Sequence, residues 1–150
     1  MYYQPVRLKH GILPAPQGFL ETARQFDVRV IFTDFSNTAA ALAKAGSLAR
    51  GLGARITLMV AQVVPYALPL NAPDVPVEFT ERKLQQLATG DTDIQVLLCR
   101  DREDAIRRAL PPDCLVIIGM RQCRWWLSCR ERSFAGRLRR DGLRVLVVSV

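Results

Sequence analysis

The residues best suited to chemistry in this chain are arranged as if around an anion. Asp34 follows one short β-branched run, Gly119 follows another, and Ser133 stands fourteen residues further on, at the start of a helical stretch. Arg121, Arg124, Arg130 and Arg132 lie between the last two. In open parallel sheets, ligands bind beyond the carboxyl ends of the strands, where the strand order reverses. A helix N-terminus placed there favours negative charge, and guanidinium groups bind phosphate through paired N–H donors. A phosphate site is the chemistry such an arrangement suggests. Each residue also has a purely structural reading. Asp34 and Ser133 are common helix N-caps, and Gly119 can simply permit the turn out of its strand.

Other chemistries find less support. The chain has one histidine, His10, far from the core region, and there is no nucleophile elbow and no spacing that pairs two carboxylates or a Cys with a His. Cys123 and Cys129 do not have zinc-ligand spacing, and a structural zinc needs about four ligands. Cys99 and Cys114 sit in apolar runs and read as core thiols. Trp125 and Trp126 fit two descriptions, an interface anchor or packing around a loop. The Arg-rich end with its Trp pair offers a stacking surface for nucleic acid. No helix-turn-helix or zinc finger accompanies it, and Arg137, Arg139 and Arg140 also fit an ordinary solvated helix face.

The elements that must position these residues follow from the hydrophobic pattern. Residues 28–33 form a β-branched run ending at Asp34. Ser36 or Asn37 then caps a helix carrying Ala39, Leu42, Ala45, Ala49 and Leu52 on one stripe, stopped by Gly51 and Gly53. Residues 56–64 form a second strand, followed by a loop containing Pro65, Pro69, Pro73 and Pro76. A short helix is expected over 79–88, a strand over 94–99, and a helix over 102–110 capped by Asp101. A fourth strand over 114–118, a helix over 133–140 and a last strand over 144–150 complete the pattern. Near-continuous apolar strands alternating with helices imply a parallel α/β sheet covered on both faces. Residues 1–27 show no convincing period and read as an arm or leader before one domain, 28–150.

The 150 residues carry 21 Lys+Arg against 14 Asp+Glu, a formal net charge of +7. Eight arginines but only Glu131 and Asp141 fall in 119–150, so the excess is local and a uniformly basic nucleic-acid coat is not supported. The longest apolar stretch, residues 56–70, is interrupted by Thr57, Gln62, Pro65 and Pro69 and falls short of the roughly 20 residues of a membrane span. The N-terminal segment is a poor signal peptide. A cytoplasmic protein with reduced cysteines is expected.

Taken together, residues 28–34, the capped helix, Gln62-Val63-Val64-Pro65, Arg100-Asp101 with Glu103-Asp104-Ala105-Ile106, residues 114–119 and residues 133–150 resemble the universal stress protein family, of the adenine nucleotide alpha-hydrolase-like superfamily. The resemblance implies a five-stranded parallel sheet in the order 3-2-1-4-5, with helices on both faces and a homodimer formed through the last strand, Arg144 to Val150. An unpaired apolar edge invites such pairing on physical grounds as well. One branch of the family binds ATP through Gly-x2-Gly-x9-Gly-Ser/Thr after the fourth strand. Here Gly119 and Ser133 match the first and last positions, whereas Gln122 and Arg132 occupy the second and third glycine positions. Asp34 matches the acid at the adenine end, and Val63 falls near the position lining the base.

The resemblance therefore implies a candidate binding set of Thr33, Asp34, Val63, Gly119, Arg121, Arg132 and Ser133. Glycines in phosphate loops supply φ > 0 and close backbone approach, and Gln122 and Arg132 add bulk where the motif has none. The expected function is a non-enzymatic, stress-associated regulatory or binding protein with a degenerate nucleotide loop, no cofactor, and at most slow ATP hydrolysis. One alternative is an ATP- or AMP-binding member of the family. A second is a module for an anionic partner, acting through the Arg-rich end.

Overall fold

The computed structural model describes residues 3–8, 26–70, 77–88, 90–122 and 130–150, and only the backbone of 3–8, 77–79 and 81. The sheet contains β1 (Tyr3–Leu8), β2 (Asp27–Ile31), β3 (Arg55–Val63), β4 (Thr92–Cys99), β5 (Leu115–Met120) and β6 (Arg144–Ser149). Its spatial order is β1-β4-β3-β2-β5-β6. The pairs from β4 through β6 are all parallel. Counted by themselves, these five strands have the order 3-2-1-4-5, and the chain reverses direction across the sheet between β2 and β5.

The sixth strand is the departure from expectation. Residues 3–8 run antiparallel along β4, with Tyr3 opposite Cys99 and Leu8 opposite Ile94. Pro5 lies in this strand. An edge strand tolerates the missing N–H that a central strand would not.

Helices α1 (Phe35–Leu52) and α2 (Val77–Leu87) precede the leftward steps of the chain, while α3 (Arg102–Ala109) and α4 (Arg130–Arg140) precede the rightward ones. Right-handed crossovers put the two pairs on opposite faces. Two cores result. Val28, Val30, Leu58 and Val60 pack with Ala41, Leu42 and Ala45 of α1 and Leu84 of α2. Ile31, Met59, Val116 and Ile118 pack with Ile106 of α3 and Phe134, Ala135 and Leu138 of α4. The alternation of core residues along β2 and β5 reflects the two-residue strand period. Burial on both faces explains the unbroken apolar run of β5, while Arg29 interrupts that of β2 and pairs with Asp27.

Helix ends locate the site. Asp34, not Ser36 or Asn37, caps α1, and its Oδ1 accepts from the Asn37 amide at 2.8 Å. Gly53, in the left-handed region at φ 59°, ends that helix, while Gly51 remains inside it. Asp101 caps α3 by accepting from the amides of Glu103 and Asp104. Helix α4 begins at Arg130, so Ser133 lies about one turn inside it and is not its cap.

Candidate functional site

The carboxyl ends of β2 and β5 meet where the strand order reverses, and there the sequence brings three of its candidate residues together. Thr33 Oγ1 donates to the carbonyl of Gly119 at 2.9 Å. The Thr33 amide in turn donates to Thr38 Oγ1 at 3.1 Å. Both carboxylate oxygens of Asp34 are engaged by its own helix, one by the Asn37 amide and the other by the Asn37 side-chain amide.

Gly119 lies inside β5 and is buried under the first turn of α1. A Cβ at this position would fall 2.0 Å from the Asn37 carbonyl oxygen and 2.5 Å from its carbon. Those are backbone atoms with no rotamer escape. Its φ is not positive, so the position requires glycine for space and not for an unusual backbone angle. The helix can approach this closely only because the strand has no side chain here.

The remaining candidates do not converge on that point. Val63 ends β3 opposite Cys99 and is 53% exposed. Arg121 lies just beyond β5 and is exposed, as is Ser133 on α4. Arg132 faces a different depression, between α4 and β6, which it lines together with Gln122. Arg124, Trp125, Trp126, Cys123 and Cys129 lie outside the described residues.

A crevice does open beside Thr33, bounded by β2, β5, α3 and α4. Its walls include Thr33, Ile106, Phe134, Arg102, Glu103 and Arg130. Its volume is about 30 Å³, room for about two water molecules. Arg102 is its central polar group and donates to the Phe32 carbonyl. Burial lowers its pKa from the ordinary arginine value, with the charge of Arg130 adding to the effect. Glu103 ties the crevice together by pairing with Arg130 at 3.7 Å and with Arg137.

Two arginines that motif reasoning passed over thus have defined jobs. Arg102 fastens the first turn of α3 to the end of β2. Arg100 donates to the carbonyls of Val64, Pro65 and Leu68 and lies 5.1 Å from the centroid of the Tyr66 ring. It holds the loop after β3 in place. The available signal was their position between β4 and the start of α3, from which Arg100 reaches the loop after β3 and Arg102 the end of β2.

The two described thiols are poor nucleophiles. Cys114 is 1% exposed and its pKa is pushed up to about 11, chiefly by burial. Burial and the neighbouring Asp101 raise that of Cys99. The thiolate is the reactive form, and neither residue supplies it at neutral pH. Among the described residues, no three His, Cys, Asp or Glu side chains gather as a metal site, and no helix is long and apolar enough to cross a membrane.

No protein-family model and no curated protein matches the chain. Among solved structures, it is similar to a protein from the universal stress protein family of Burkholderia pseudomallei. The TM-score is 0.54 at 16% identity, covering 84% of this chain and 97% of that one. The fold is that of the universal stress proteins. Its five parallel strands in the order 3-2-1-4-5 match that fold, and β1 lies beside them on the β4 edge of the described sheet. At this level of identity the likeness speaks for the frame and leaves the content of the crevice to be argued from this chain's own residues.

Proposed function

We propose that this protein is a non-catalytic, universal-stress-like binding protein of the cytoplasm, and that its β2–β5 crevice does not hold ATP in the manner of the nucleotide-binding members. The observation that carries this reading is Gly119. It is the one loop glycine that survives, and its missing side chain makes room for the Asn37 carbonyl of α1. Asp34 supports the same conclusion, because both its carboxylate oxygens serve the start of α1. The retained residues thus have structural work that accounts for them without a ligand.

Thermal melting with and without millimolar ATP–Mg²⁺ tests this. A ligand at about 100 times its Kd adds roughly 2.7 kcal/mol, equivalent to several degrees in a protein of this size. The expected outcome is no shift. A rise in Tm that Asp34→Ala removes would establish the adenine-nucleotide alternative.

The working unit in this reading is a homodimer joined through β6. That strand ends the sheet, and Val145, Leu146, Val147 and Val148 are only half-buried within the single chain. Val147→Pro should yield monomer or unfolded protein by light scattering; an unchanged dimer would place the contact elsewhere. Buried free thiols at Cys99 and Cys114 agree with a reducing compartment.

A further inference from the structure

We propose that the groove between α4 and β6 is a binding site for a small phosphate monoester, held by side chains and distinct from the β2–β5 crevice. The groove measures about 380 Å³, within the roughly 300–1,000 Å³ of small-molecule sites. Its polar lining is Gln122, Arg132, Arg139 and Ser149, with no acid. Met120, Ala135 and Val147 give it an apolar floor. Two guanidinium groups, a side-chain amide and a hydroxyl can satisfy a phosphate, while the floor suits the carbon body of a monoester.

The backbone that carries these donors is fixed by the sheet and the helix, and Arg139 is also anchored through its side chain. Gln122 is tied to the sheet by its amide, which donates to the Val150 carbonyl, while the Val150 amide donates to Met120. Ser149 lies opposite Met120 in the β5–β6 register. Arg139 rests on the Val145 carbonyl through Nε and one terminal nitrogen, at 3.3 and 3.0 Å, which leaves its other terminal nitrogen available. Arg132 has no ion-pair or hydrogen-bond partner among the described residues.

Charge singles out this flank of the helix. On the flank facing α3, Arg130 and Arg137 are paired with Glu103, and Glu131 lines the same crevice. Towards β6, Arg132 and Arg139 face no acid among the described residues. A phosphate dianion would balance that pair.

The proposal does not depend on whether the β2–β5 crevice holds ATP, because Arg132 faces this groove and not that crevice. It does require the α4 side of β6 to stay open when β6 pairs with a second copy. Inorganic phosphate and glycerol 3-phosphate, titrated by calorimetry at low ionic strength with glycerol as the control, test it directly. Saturable binding of both phosphate probes at one equivalent per chain is expected, tighter for the ester. Arg132→Gln should weaken it about tenfold or more, the size expected for a lost charge-assisted hydrogen bond, and Ser149→Ala should weaken it severalfold. Arg130→Gln, on the other flank, should leave it within about twofold of the parent affinity. Absence of saturation up to about 10 mM phosphate overturns the proposal. Equal weakening by Arg130→Gln and Arg132→Gln also overturns it, since that pattern reports diffuse charge instead of a site. Arg132 is exposed, so its loss should not unfold the chain.

Discussion

Helix α4 has two flanks, and they have been treated oppositely. Residues 130, 131, 134 and 137 point towards α3, while 132, 135 and 139 point towards β6, as the period of 3.6 residues per turn requires. On the first flank and on the facing α3 the cations have acidic neighbours: Arg130 and Arg137 have Glu103, Arg107 has Asp141 at 3.1 Å, and Arg108 has Asp104 at 2.9 Å. Arg102 feels the charges of Glu131 and Glu103 and is bonded to the Phe32 carbonyl. The second flank keeps two arginines, space and no described acid. Part of the basic excess of the C-terminal region, Arg132 and Arg139, thus falls on one side of one helix. The first flank holds the carboxyl ends of the strands together, and the second is left open to bind.

The sharpest way to break this contrast acts at the centre of the first region. Gly119→Ala drives a Cβ against the backbone of Asn37 and should destabilise the fold by about 3 kcal/mol or more. Urea denaturation would measure it, with the slope unchanged and the midpoint lowered. A variant that kept parental stability would mean that Gly119 is there for a ligand, and the crevice would have to be reconsidered as a binding site. The next effect is smaller. Asp34→Ala removes the cap of α1 and should cost about 1 kcal/mol, within the usual range of about 0.5–2 for such caps. Asp34→Asn should recover most of that loss, because a side-chain oxygen still faces the Asn37 amide. Failure of Asn to recover it would show that the charge of Asp34, and not its capping geometry, is what the site uses.

The frame was legible because its signals are local and redundant. Strands β2 to β5 are largely buried and β6 is an apolar run, all separated by helices, and two-sided burial leaves apolar stretches that few other structures explain. The strand Tyr3–Leu8 was not legible. Its partner lies about ninety residues away in the chain, and a short stretch containing proline carries no period that separates an edge strand from a leader. The site was legible only in part. Asp34, Thr33 and Gly119 do meet, but what joins them is the close approach of α1 to β5, a tertiary distance no motif spacing encodes. Arg132 joins them in the sequence because it stands at the third glycine position of the motif and carries a phosphate-binding guanidinium. On a helix, neighbours in sequence point about 100° apart, and Arg132 faces the β6 groove. The boundary of α4 decided that outcome: with the helix starting at Arg130 and not at Ser133, Arg132 sits in a regular turn with a fixed direction.

The smallest effect tests whether charge pairing or lack of room keeps anions off the α3 flank. Glu103 is the shared partner of Arg130 and Arg137, and its side chain is 26% exposed. Glu103→Gln leaves both arginines without a counter-charge and also removes an acid from the first turn of α3, where the helix dipole favours one. Partly exposed pairs contribute little, so the loss of stability should stay near 1 kcal/mol or below. The flank would then keep Glu131 as its remaining acid and differ from the β6 side chiefly in space, about 30 Å³ against about 380 Å³. If space decides, the variant binds phosphate with the same single equivalent as the parent chain. A second equivalent, lost again on Arg130→Gln, would show that Glu103 had been occupying an anion site, and that the two flanks of α4 differ by one carboxylate and not by their shape.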